Sequence, residues 1–276
     1  MSPVISLGLW TLRNHLNSRT ELADTLARVR EIGFETVEFS GDCPDASVQE
    51  VRQVLDDSGI VCPSSHRTWR ALRDNTDAEI DFLKTLGCKY VAVPIINDEY
   101  ADRYAYGSYR ALLADMPPVT EKLKVAGITL GYHHHSYEFI RGSGGATILD
   151  LLIEEGGRDL AITVDVYWAA AAGANPAKLI DRLHGRVPVI HMKDMGVAFK
   201  GNEWVPPRIV APGMEENEWL PSQIFAPVGE GNLDWDSVIP AAQAAGSRML
   251  VVEQDICRRD PFDCVRSSFE FLKARL

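Results

Sequence analysis

The chain has 276 residues, 46% of them hydrophobic and 24% charged, with 39 acidic against 28 basic side chains and a formal net charge of -11. This is globular composition, and no apolar run is long enough to cross a bilayer. So acidic a surface repels phosphate backbones, which argues against nucleic acid and against a membrane surface as partners.

From the N-terminus, "MSPVISLGLWTLRN" lacks a basic start and a cleavage site. It reads as a buried strand rather than a signal peptide, and a cytoplasmic location is expected. The 5 cysteines are scattered with no CxxC pair, which suits reduced thiols. Apolar runs then recur, each followed by a helical pattern. "ISLGLW" ends at Trp10, "TVEFS" at Ser40, "IVCPSSH" at His66 and "YVAVP" at Pro94, about 28 residues apart. "ITLGYHH", "AITVD" ending at Asp165, "VPVIHMKD" around His191 and "MLVVEQD" around Glu253 complete eight. Between them, Leu22, Leu26, Val29 and Ile32 form one apolar stripe closed by Gly33. Thr76 and Glu79 read as a capping box. Asn175 and Pro176 supply a cap and a first-turn proline.

Eight strand–helix units predict one α/β domain over residues 1–276, a (β/α)8 TIM barrel. A doubly wound open sheet is the alternative, but no GxGxxG or GxxxxGK[ST] follows a strand. The stretch at about 196–232 is rich in proline and lacks periodicity, so it is expected to be a long loop or lid.

Chemistry in such barrels belongs at the C-terminal ends of the strands. Those ends carry Trp10, Glu38, His66, the run "GYHHHSYEF" with Glu138, then Asp165, His191 with Lys193 and Asp194, and Glu253 with Asp255. Clustered carboxylates with imidazole are ligands for one divalent cation, Mn²⁺ first and Mg²⁺, Co²⁺ or Zn²⁺ as alternatives. On a strand His133 and His135 share one side, His134 faces the other, and Glu138 has the opposite parity.

These motifs carry a resemblance. "GYHHHSYEF", "VDVYWAAAAG", "HMKD", "VGEGNLDW" and "VVEQD" are similar to motifs of the sugar phosphate isomerase/epimerase superfamily, the xylose isomerase-like barrels, in its branch related to inosose dehydratase and 3-keto-sugar epimerases and lyases. The resemblance implies a cation held by Glu138, Asp165, His191 and Glu253, with His133 or His135 as the alternative to Glu138. It implies Glu138 and Glu253 as a proton-transfer pair. His133 and His135 are further acid–base candidates, with Lys193 as electrostatic partner; a Lys193–Asp194 surface pair is the plainer reading. It implies substrate contacts from His66, Trp168 and Glu230, against core packing for Trp168 and a loop salt bridge for Glu230. Glu38 and Trp10 are expected to line the cavity, with packing as the alternative for Trp10.

The expected activity is a metal-dependent isomerase or epimerase of a sugar, keto sugar or sugar phosphate. It would remove a proton next to a carbonyl and stabilise an enediolate at the metal. A lyase of the same barrel, an inosose-type dehydratase or a 3-keto-glycoside β-eliminase, is the alternative. The expected partner is a small sugar, and the resemblance implies a homo-oligomer, a dimer or tetramer.

Overall fold

A computed structural model describes residues 2–41, 43–96, 100, 102–198 and 222–276. Seven strands come first: β1 (Val4–Gly8), β2 (Thr36–Phe39), β3 (Val61–His66), β4 (Tyr90–Val93), β5 (Thr129–His133), β6 (Ala161–Asp165) and β7 (Val189–Met192). An antiparallel ribbon of β8 (Asp194–Ala198) and β9 (Ser222–Ala226) follows, then β10 (Met249–Val252). Strands β1 to β7 and β10 form a closed parallel barrel, sealed where Val4 of β1 pairs with Met249 of β10. Closure excludes the open doubly wound sheet.

Helices cover the outside, which is why the strands are apolar on both faces. The main ones are α1 (Arg19–Ile32), α2 (Val48–Ser58), α4 (Thr76–Leu86), α5 (Tyr106–Val125), α6 (Ile148–Glu155), α8 (Pro176–Arg182), α9 (Trp235–Ala244) and α10 (Pro261–Lys273). Short helices α3 (Trp69–Asp74) and α7 (Val166–Ala171) precede α4 and α8. The α1 stripe is buried as its spacing predicts: Leu22, Leu26 and Val29 are at most 1% exposed. Each such side chain contributes roughly 1.5–3 kcal/mol. The Asn175 cap accepts from Lys178 N–H. The Thr76–Glu79 box does not form. The preceding helix α3 captures Thr76, whose hydroxyl donates to Leu72 O, and Arg67 captures Glu79.

The region expected to be a loop at about 196–232 starts and ends in regular structure, the β8–β9 ribbon. Its middle, residues 199–221, lies outside the described residues. Among the described residues no helix is long and apolar enough to cross a membrane.

Parallel register brings the polar strand ends to one rim. Glu38 lies opposite both Gly8 and Ser64, Asp165 opposite His191, and His191 opposite Val251. Glu253, two residues beyond Val251, points the same way. Gly8 makes room for it: a Cβ there would come within 2.6 Å of Glu253 Oε2.

Candidate active site

His191, fully buried, is the centre of the site. Its Nε2–H donates to Glu38 Oε1 at 2.7 Å, and its Nδ1 lies 3.4 Å from Glu253 Oε2. The other Glu38 oxygen accepts from Ser64 Oγ at 2.5 Å. His191 Nδ1 and Glu253 Oε2 are buried and have no hydrogen-bond partner. The rings of His66 and His133 pack on His191 at 5.2 and 4.4 Å, and His135 follows His133 at 4.8 Å.

Lys193, 1% exposed, threads between the acids. Its Nζ reaches Glu253 Oε1 at 2.8 Å, Asp165 Oδ2 at 3.1 Å and Asp255 at 3.2 Å. Asp165 also caps α7 through Trp168 N–H and lies 3.3 Å from His133 Nε2.

Burial and charge divide the titrating groups. Burial alone would lower the His191 pKa, but Glu253 and Glu38 override it and push it up to about 9. Burial would raise Glu38, yet His66 and His191 hold it down to about 2. Glu253 is lowered despite burial, chiefly by Lys193 and His191. Lys193 is held protonated above its ordinary value because Asp165, Glu253 and Asp255 outweigh its burial. Burial lowers His66, and it brings His135 down to about 3 with help from the Lys193 charge. His133 is lowered well below its ordinary value by burial and the neighbouring histidines. Burial, then Lys193 notwithstanding, raises Asp255.

A cavity of about 340 Å³ opens in front of this cluster. Trp10, His66, His133, His135, Lys193 and Glu253 line it, together with Asp255 and Ser40. Trp168 stands behind His135, its ring 5.6 Å away, and also packs on Phe225 of β9.

Three residues lie elsewhere than expected. Glu138 is not brought to the cluster. Its Oε1 accepts from Tyr132 and Tyr109 hydroxyls at 2.7 and 3.2 Å, and its Oε2 from His135 N–H at 2.7 Å. The turn after His135 carries it behind β5, onto the outward side that Tyr132 shares, so His133 and His135 are what β5 presents to the cavity. Glu230 is on the surface, bound bidentately by Arg259 at 2.6 and 2.8 Å, because the turn at Gly229–Gly231 points it outward. Glu38 lies beneath the cavity rather than lining it, fully buried against His191. His134 is also turned outward; its Nε2 accepts the Asp165 N–H at 3.2 Å, tying β5 to β6. Nor do Lys193 and Asp194 form a pair. Asp194 accepts from the backbone N–H groups of Met195, Gly229, Gly231 and Leu233 and from Trp235 Nε1.

Sequence reading did not assign Ser40 or Asp255 a role. Asp255 had a signal: it follows Glu253 at the two-residue spacing that keeps a strand residue on one side.

The donor set fits a divalent cation. Glu38, His191 and Glu253 each offer an atom within 4.8 Å of the others, and so do His66, His133 and His191. Glu38 already spends both oxygens on Ser64 and His191, so it orients the imidazole, leaving His191 Nδ1 and Glu253 Oε2 free for a cation. Among the described residues, the carboxylates of Glu38, Asp165, Glu253 and Asp255 gather around Lys193 and His191, with His66 also against Glu38.

A closed parallel barrel with a histidine–carboxylate cluster at its C-terminal rim defines a TIM barrel with a candidate metal centre. The chain belongs to the xylose isomerase-like TIM barrel family, whose model matches residues 26–275. Among solved structures, it is similar to a sugar phosphate isomerase/epimerase from Parabacteroides distasonis, with 18% identity, 99% of this chain and 98% of that chain covered, and a TM-score of 0.75. It is also similar to the 3-keto-D-glucoside 4-epimerase of E. coli (15% identity, 99% and 100% covered, TM-score 0.67). A third is the probable 3-DHS dehydratase of Bacillus anthracis (15%, 100% and 100%, TM-score 0.69). At these identities the likeness shows the fold. No curated protein matches the chain.

Proposed function

We propose that this chain is a divalent-cation-dependent isomerase or epimerase of a sugar or keto sugar. One observation carries the reading: His191 Nδ1 and Glu253 Oε2 are buried, lack hydrogen-bond partners and face each other at 3.4 Å behind the cavity that Glu253 lines. His191, Glu253 and Asp165 would hold the cation, with His133 beside them in place of Glu138. Mn²⁺ suits this mixed nitrogen and oxygen set, with Mg²⁺, Co²⁺ or Zn²⁺ as alternatives. The bound cation supplies Lewis acidity at the substrate carbonyl and the adjacent hydroxyl.

The chain's own groups do the rest. Glu253 lines the cavity and is held ionised, so it takes the proton from the carbon next to the carbonyl. Lys193 Nζ lies beside it at 2.8 Å and offers positive charge to the substrate oxygen that becomes negative. His133 ends β5 and His135 follows two residues on, with β5 separated from β10 by β6 and β7 in the barrel order. Their neutral imidazoles hydrogen-bond the sugar hydroxyls, while the proton that Glu253 has taken returns from its carboxyl in isomerisation, or a proton from water enters on the opposite face in epimerisation. Trp10 and His66 bound the ring.

Asp255 favours a second reading, a lyase. It lines the cavity and its carboxyl is raised by burial, which suits carrying a proton to a departing oxygen. Metal analysis and proton NMR in D₂O test both, with 3-keto sugars, inososes and ketoses as substrates. Deuterium entering next to the carbonyl without loss of water or aglycone is the expected result. An unsaturated dicarbonyl product overturns the isomerase in favour of the lyase, and a chain that binds no cation overturns both.

A further inference from the structure

The cavity in front of Glu253 has a neighbour. A second cavity, of about 240 Å³, adjoins it, and the two share Trp10 and Ser40. The walls of the second are mainly apolar: Leu9, Leu16, Phe39, Cys43 and the Trp10 indole. Its cation, Arg13, is tied down. Nη1 donates to Trp10 O at 2.9 Å and Nη2 to Asp255 O at 2.8 Å, with the guanidinium 4.8 Å from the Trp10 ring. Arg13 therefore fixes the indole and joins the exits of β1 and β10.

Two features mark the junction. Trp10 is 43% exposed, a large apolar ring left facing open space. Ser40 Oγ is buried without a hydrogen-bond partner. A hydroxyl there would donate to an oxygen linking a group in the first cavity to a group in the second.

We infer that the substrate is a glycoside with a keto group on its ring, the ring in front of Glu253 and the apolar aglycone in the second cavity against Trp10, with Ser40 Oγ on the connecting oxygen. The inference rests on the sugar chemistry proposed above. It goes beyond it by choosing among substrates. A free monosaccharide would leave apolar walls against water. A sugar phosphate fits less well: among the described lining residues of the first cavity the cation is Lys193, already matched by three carboxylates, and in the second Arg13 keeps its charge but has two of its N–H groups on carbonyls.

Unreactive probes test the subsite without turnover. Phenyl and methyl β-glucopyranosides are titrated calorimetrically into the full chain with Mn²⁺ present. Phenyl glucoside is expected to bind at least about tenfold more tightly, the return on burying one aromatic ring. Leu16→Trp, which fills the second cavity from a half-buried position, should abolish that preference. Ser40→Ala should weaken both glycosides alike. Equal affinity for the two glycosides, no binding of either, or a preference that survives Leu16→Trp overturns the inference. The two readings fail separately. A phenyl preference without deuterium exchange in any keto sugar sinks the proposed chemistry and leaves the subsite. Exchange with the same kcat/KM for free 3-keto-glucose and its phenyl glycoside sinks the subsite and leaves the chemistry.

Discussion

Glu38 grips the Nε2 side of His191 at 2.7 Å and thereby turns Nδ1 toward Glu253. A carboxylate that fixes an imidazole in this way sets both its tautomer and its direction. Glu38 itself is pinned from below by Ser64 Oγ, so the orientation is built into β2 and β3.

Glu38→Ala should therefore weaken cation binding by about 10–100-fold without touching the cation. Calorimetric titration of the demetallated chain with Mn²⁺ measures it. An unchanged affinity would show that His191 does not depend on this partner.

Cation binding should release a proton. His191 ordinarily titrates at 6.5 and is pushed up to about 9 here, chiefly by Glu253 and Glu38 against the effect of burial. The charged form must deprotonate to become a ligand, so cation affinity should rise with pH toward about 9. The cation-free chain behaves oppositely. This contribution to stability is complete below 6.5 and is lost as pH rises through about 9. Thermal melts with and without Mn²⁺ across that range should diverge, and calorimetry in buffers of different ionisation enthalpy should count the proton.

Glu138→Gln should leave the bound cation in place, because Glu138 serves Tyr132, Tyr109 and the His135 N–H instead. Burial raises its carboxyl from 4.5 to about 7. The folded state prefers it protonated, so its contribution is complete below 4.5 and is lost as pH rises through about 7. The substitution should flatten the loss of stability over that window. Loss of the cation in the variant would return Glu138 to the ligand set.

Glu230→Ala should cost about 0.5 kcal/mol, the ordinary worth of an exposed ion pair, and leave kcat/KM unchanged. A large fall in kcat/KM would mean that Glu230 reaches the substrate.

These placements show what could be read from the chain alone. The barrel was legible because its strands are short apolar runs at regular spacing, each followed by a helical stripe such as Leu22–Leu26–Val29. The rim residues were legible as a set because register follows from parallel pairing, and Asp165 and His191 end their strands side by side. The destination of Glu138 was not legible. Its parity pointed outward with Tyr132, but its second partner, Tyr109, lies in α5, 29 residues earlier. Glu230 failed for a similar reason: its captor, Arg259, is 29 residues later, beyond β10. Glu38 looked like a cavity residue because nothing local reveals that His191, 153 residues away, stands above it. In each case a local pattern was overruled by a distant partner.

Asp194→Asn should destabilise the chain by about 1–3 kcal/mol, since the buried carboxylate accepts from five donors that an amide cannot all serve. Gly231→Ala should mimic it, because a Cβ at that position would collide with the Asp194 carboxylate. Both effects are read in thermal melts, and a neutral Asp194→Asn would show that the turn holds itself.

The β8–β9 ribbon leaves the barrel at Asp194 and returns at Ala226, and these two residues are paired with each other. The ribbon thus joins the rim at one residue pair, and Asp194 anchors that pair to the turn that follows β9. Changes farther along β8 and β9 can accumulate without moving the backbone that carries His191 and Glu253, so the ribbon and the buried cluster are free to vary independently.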